Sequence, residues 1–107
     1  MEVALAASEL APGASAVATV TDTPLGTRID LEVWGLAPAG ADAYYELWLW
    51  DSDGDAVSAG SFHLRGGTGS IELWAGVGLA DYPRMTVSRQ REGAGTAPSG
   101  EVVLRSR

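Results

Sequence analysis

Three groups of side chains in this 107-residue sequence have types and spacings that could do chemistry. Asp51, Asp53 and Asp55, in the run DSDGD, set carboxylates at alternate positions, as the first half of a calcium loop does around a hard cation. Such a loop continues to a bidentate Glu and is flanked by helices, whereas VSAGSF follows here as strand. The Asp-Gly pair inside the run is also the favoured centre of a tight hairpin turn, a reading that requires no ligand. His63 lies close to Ser58 and Ser61, the residue types of a serine hydrolase. No GxSxG elbow accompanies them, and both serines share a strand with the His, so the geometry of nucleophile and base is not signalled. The third group is Trp34, Trp48, Trp50 and Trp74. Outward tryptophans stack on sugar rings or a partner protein, and inward ones fill a core of small aliphatics. Trp48 reads as buried; Trp34 and Trp50, outward on otherwise polar faces, are the candidate partner-contact surface.

The composition narrows the chemistry further. Without Cys there is no disulfide, thiol catalysis or cysteine-ligated zinc, and a single His excludes a multi-histidine site. No catalytic residue, metal or cofactor is expected. Fourteen acidic residues face seven basic ones, all arginine, for a net charge of −7. That balance repels nucleic-acid phosphates and anionic membrane surfaces. The absence of Lys beside abundant Ala, Gly and Arg points to a GC-rich coding sequence of the actinobacterial kind. No apolar run approaches the roughly 18 residues of a membrane span, and MEVALAAS lacks the basic and apolar regions of a signal peptide, so the segment itself is expected to be soluble.

The elements that position these groups read as strands. In residues 44–50, Tyr45, Leu47 and Leu49 point one way and Tyr44, Glu46, Trp48 and Trp50 the other. The DSDGD turn and a return strand complete a central hairpin through Phe62. Ahead of it, residues 1–14 are Ala-rich and closed by Pro12 and Gly13, which predicts a flexible arm or an edge strand. SAVATVT at residues 15–21 is a strand, and DTPLG is a turn in which Pro24 presets φ. The next strand alternates cleanly, Ile29, Leu31 and Val33 inward against Arg28, Asp30 and Glu32 outward. Beyond the hairpin, Ile71 and Leu73 face in after the turn RGGTG. Residues 75–82 read as a short helical or irregular crossover limited by Pro83. Met85 and Val87 face in on the following strand, with Arg84, Thr86 and Ser88 outward; residues 92–100 (EGAGTAPSG) are the most flexible loop, and EVVL closes the chain. Seven to eight short strands with turn chemistry between them predict an all-β fold. The form expected is an antiparallel two-sheet β-sandwich with Greek-key, immunoglobulin-like connections, a single domain over residues 15–107.

Several of these segments, taken in order, resemble the extracytoplasmic C-terminal domain of the anti-sigma-K factor family. They are YELWL at residues 45–49, DGDAVSAGSF at 53–62, Thr86 with Val87, and PSGEVVL at 98–104, with LAPAG at 36–40 as a lead-in. The similarity covers roughly residues 27–104. The sequence departs from the family pattern twice. Ser88, Arg89 and Gln90 stand where Glu-Pro is usual, and Glu101 stands where Pro is usual. These departures leave the fold intact and bear on any ligand contact that region makes.

The resemblance implies a regulatory, non-enzymatic role as the sensor or tether domain of a membrane-anchored anti-sigma factor. The sigma factor would be held by an N-terminal domain that this chain does not include, and proteases acting near the membrane would release it by regulated intramembrane proteolysis. The domain would lie on the extracytoplasmic face of the cell membrane, with no direct membrane contact of its own and no nucleic-acid partner. The residues alone also fit a small secreted or cell-surface module that binds glycan or protein through Trp34 and Trp50.

Overall fold

Strand alternation carries through almost the whole molecule. The structure, a computed structural model, describes residues 1–106, and among them there is no helix. Eight strands follow in chain order: β1 (Glu2–Ala7), β2 (Ser15–Thr23), β3 (Gly26–Trp34), β4 (Ala43–Trp50), β5 (Ala56–Phe62), β6 (Gly69–Ala75), β7 (Arg84–Arg91) and β8 (Val102–Ser106). Hydrogen bonds join them into one antiparallel sheet in the order β5-β4-β7-β8-β1-β2-β3-β6. No ladder links the edges β5 and β6, but they pack against each other: a Cβ at Gly60 would lie only 3.0 Å from Leu73 Cδ2. The sheet therefore curls into a nearly closed barrel. The all-β antiparallel expectation holds, while the two separate sheets of an immunoglobulin-like sandwich give way to one continuous sheet.

The reason lies in β1. Residues 1–14, expected as a loose arm or an edge strand, instead supply an interior strand. It pairs with β2 from Glu2↔Thr19 to Ala6↔Ser15 and with β8 from Leu5↔Ser106 to Ala7↔Leu104. Those two ladders carry the sheet from one half of the barrel to the other. Leu5, 1% exposed, anchors the strand in the core, and its alanine neighbours are small enough for a segment flanked on both sides.

Inside the barrel, Ile29, Leu31 and Val33 of β3 meet Leu47 and Leu49 of β4, Met85 and Val87 of β7, and Leu104 of β8, all essentially inaccessible to water. Each large side chain so buried contributes about 1.5–3 kcal/mol. Strand directions divide the loops between two ends. One end gathers residues 8–14, 35–42, 63–68 and 92–101. The opposite end carries Met1, whose ammonium group donates to Val20 O at 3.1 Å, together with the β2–β3 and β4–β5 turns. The helical or irregular crossover expected over residues 75–82 takes the irregular form after β6 ends at Ala75, with a single turn closed by Tyr82 N–H to Gly78 O at 3.0 Å.

Candidate functional site

Two regions concentrate polar side chains in covered positions. The first is the outer wall over β4 and β7. Trp48 and Trp50 project from β4 and lean along β7 in the same direction: Trp48 Nε1 donates to Ser88 Oγ at 2.9 Å, and Trp50 Nε1 to Thr86 Oγ1 at 2.8 Å. Ser88 Oγ donates onward to Gln90 Oε1 at 2.7 Å, and Gln90 Nε2 to Ala97 O at 2.9 Å. Ser99 returns the connection, its N–H reaching Gln90 Oε1 at 2.9 Å and its hydroxyl Arg89 O at 2.6 Å. The loop that contains residues 92–100, expected to be the most flexible, is thus tied down onto this wall. Trp48, Ser88 and Gln90 are buried, and Gln90 bonds directly to that loop. A bulge in the β7–β8 pairing between Val87 and Ser88 interrupts the ladder where these polar groups are covered. Sequence reasoning placed Ser88 outward, which is correct, but did not foresee its cover. The available signal was that Ser88 and Gln90 depart from the family pattern.

The second region is a cavity of about 480 Å³ at the loop end. Its walls are largely apolar, from Leu10, Pro12, Leu36, Pro38 and Val103, and its polar groups are Tyr45, Arg89 and Glu101. The Tyr45 hydroxyl donates to Ala37 O, and the ring packs against Phe62 with centroids 5.8 Å apart. Burial pushes the Tyr45 phenol above its ordinary pKa of 10.0, and the neighbouring Arg89 charge pulls against that rise. Arg89 Nε donates to Ala39 O at 2.7 Å, while Nη1 lies 3.5 Å from Glu101 Oε1. The same Glu101 oxygen is 3.3 Å from Arg91 Nη2. Arg89 belongs to the first departure from the family pattern, Ser88 to Gln90, and Glu101 is the second. They meet at this cavity, where their backbones also join through Arg89 N–H to Glu101 O at 2.9 Å.

The remaining residues singled out in the sequence are dispersed. Trp34, 42% exposed, ends β3 at the loop end, and Trp50 is half-buried at the far end of β4 on another part of the barrel. The two do not share a surface. Trp74 is exposed on β6. In the DSDGD turn, Asp51 Oδ1 accepts from the N–H of Asp53 at 2.9 Å and of Asp55 at 2.8 Å, around Gly54 at φ 86°. That carboxylate closes the turn instead of pointing at a cation. Among the described residues, no three His, Asp or Glu side chains converge as a metal-ligand set. Ser58 Oγ donates to Glu46 Oε2 at 2.5 Å, and His63 is exposed beyond the end of β5.

The described residues form a curled antiparallel sheet with a mixed cavity at its loop end. The sequence profile described as anti-sigma-K factor rskA, C-terminal, matches residues 1–102. The chain belongs to that family, which is regulatory and not enzymatic and whose anti-sigma role implies a sigma factor as partner. The match takes in β1 and β2, beyond the segments that carried the resemblance. No curated protein and no solved structure matches the chain.

Proposed function

We propose that this chain is the extracytoplasmic regulatory domain of a membrane-anchored anti-sigma factor of actinobacterial type, and that its folded state restrains proteolytic release of an extracytoplasmic-function sigma factor. Family membership supports the regulatory role. The observation that carries the restraint is the position of β1. Any segment attached upstream of residue 1 enters the fold through a strand held on one side by β2 and on the other by β8. Proteases act on extended, unpaired backbone, and an interior strand offers that only when the sheet opens as a unit. The domain therefore shields the membrane-proximal chain for as long as it stays folded. The sigma factor is held by the parent's N-terminal domain, and this segment touches neither membrane nor nucleic acid, in keeping with its charge of −7. Trp34 and Trp50 serve as separate partner contacts, Trp34 the more open of the two.

The test is a stability series in the membrane-anchored parent. Leu104→Ala and Val87→Ala remove fully buried side chains from the two strands that lead to β1. Sigma-dependent transcription without inducing signal should rise in the order of stability lost. Output that stays flat across variants of very different stability contradicts the reading.

A further inference from the structure

We propose that the cavity at the loop end binds a small molecule with one carboxylate and an apolar body, and that this binding is the domain's signal input. The binding stands on the geometry alone; only its role as input rests on the regulatory reading above. At about 480 Å³ the cavity falls within the size range of small-molecule sites, which pair mostly apolar walls with a few placed polar groups. Pro12 and Pro38 stiffen its rim, since the ring of each fixes φ.

Charge selects the ligand's polar end. The domain as a whole carries −7, yet the charged residues that line the cavity are one Arg, Arg89, and one Glu, Glu101, and Arg91 outside the lining draws on the same Glu101 oxygen. Glu101 is shared, and it lies nearer to Arg91 at 3.3 Å than to Arg89 at 3.5 Å. The Arg89 fork is fixed at its base by the bond from Nε to Ala39 O, and among the described residues Nη2 has no hydrogen-bond acceptor. A Cβ at residue 40 would come within 3.3 Å of Nη2, and Gly40, at φ 112°, provides none. An oriented guanidinium whose Nη2 donors have no acceptor offers a carboxylate a charge-assisted hydrogen bond. The cavity also touches residues 10–12, residues 35–39, β4, β7 and β8, so an occupant joins loops to strands and stabilises the folded state by mass action. It opens at the end opposite Met1, away from any upstream tether.

The experiment is a titration of the isotope-labelled domain with octanoate, followed by amide NMR, with octanol and octylammonium as neutral and cationic controls. Saturable shifts are expected at residues 10, 11, 36, 37, 39, 89 and 101–103, with octanol binding about tenfold more weakly, the scale of one charge-assisted interaction. Arg89→Gln should weaken octanoate about tenfold and Arg89→Lys less. Leu10→Asp adds a repelling charge at an exposed rim position and should weaken binding even if the Arg89 variants fold poorly. Octanol binding as tightly as octanoate, shifts scattered over the surface, or indifference to both Arg89→Gln and Leu10→Asp would overturn the site. Octanoate binding in the parent protein that leaves sigma release unchanged would retain the site and overturn its role as input.

Discussion

The outer face of the curled sheet is finished in two ways. Over β4 and β7, Trp48, Ser88 and Gln90 are 4%, 1% and 3% exposed and pass hydrogen bonds from indole to hydroxyl to amide to loop backbone. Over β3 and β6, Arg28 bridges Asp30 at 3.2 Å and Glu72 at 2.9 Å, and all three side chains are at least 41% exposed. Exposed ion pairs contribute about 0–1 kcal/mol each because water and salt screen them. The covered wall adds the apolar area of an indole to several neutral bonds of about 0.5–1.5 kcal/mol each. Both walls are polar in sequence, but only one adds much stability, and it adjoins β8 and through it β1.

Substitutions on the two walls should differ accordingly. Trp48→Ala is expected to cost about 3–5 kcal/mol in denaturant unfolding, since it opens a large cavity and leaves the Ser88 hydroxyl without its indole donor. Equal costs for Trp48→Ala and Arg28→Ala would erase the contrast. Gln90→Leu should cost about 1–3 kcal/mol, because Ala97 O and Ser99 N–H lose their partner, and it should speed protease cutting within residues 92–101. Unchanged cutting would mean that the loop is held by something other than this network.

Tyr45 gives a pH-dependent comparison at the loop end. Its phenol pKa is raised in the folded state, so its contribution is complete below the ordinary value of 10.0 and is lost as pH rises through the folded value. Wild type should therefore lose stability more steeply than Tyr45→Phe as pH rises from 10.0 toward the folded value, as thermal midpoints would show; parallel decline would contradict the assignment. The smallest effect belongs to the exposed wall, where Arg28→Ala should cost less than about 1 kcal/mol and less still in high salt.

The contrast between the walls also shows what the sequence makes legible. The alternation in β3 and β4 correctly assigned Ile29, Leu31, Val33, Tyr45, Leu47 and Leu49 to the inside. Alternation names a face and leaves the neighbour open. It could not separate a sandwich from a curled single sheet, because that depends on β1 finding β8, nearly the whole chain away. The Ala-rich start gave little periodic signal, so an interior strand read as an arm or an edge. Outward Trp34 and Trp50 looked like one candidate surface, yet strand order sets them apart. The cover over Ser88 comes from a bulge and a loop that no period encodes. At the cavity, the pairing of Arg89 with Glu101 was present only as two unconnected departures from a family pattern.

The central claim is that the strand at the N-terminus is locked to the fold as a whole. Native-state hydrogen exchange at the β1 amides, compared with those of Leu47 and Val87 in the core, measures this directly. The account predicts that β1 exchanges only through global opening, with the same free energy as the core and the same response to Trp48→Ala. Exchange of β1 at a markedly lower free energy, unaffected by that substitution, would show the strand detaching by itself and would contradict it.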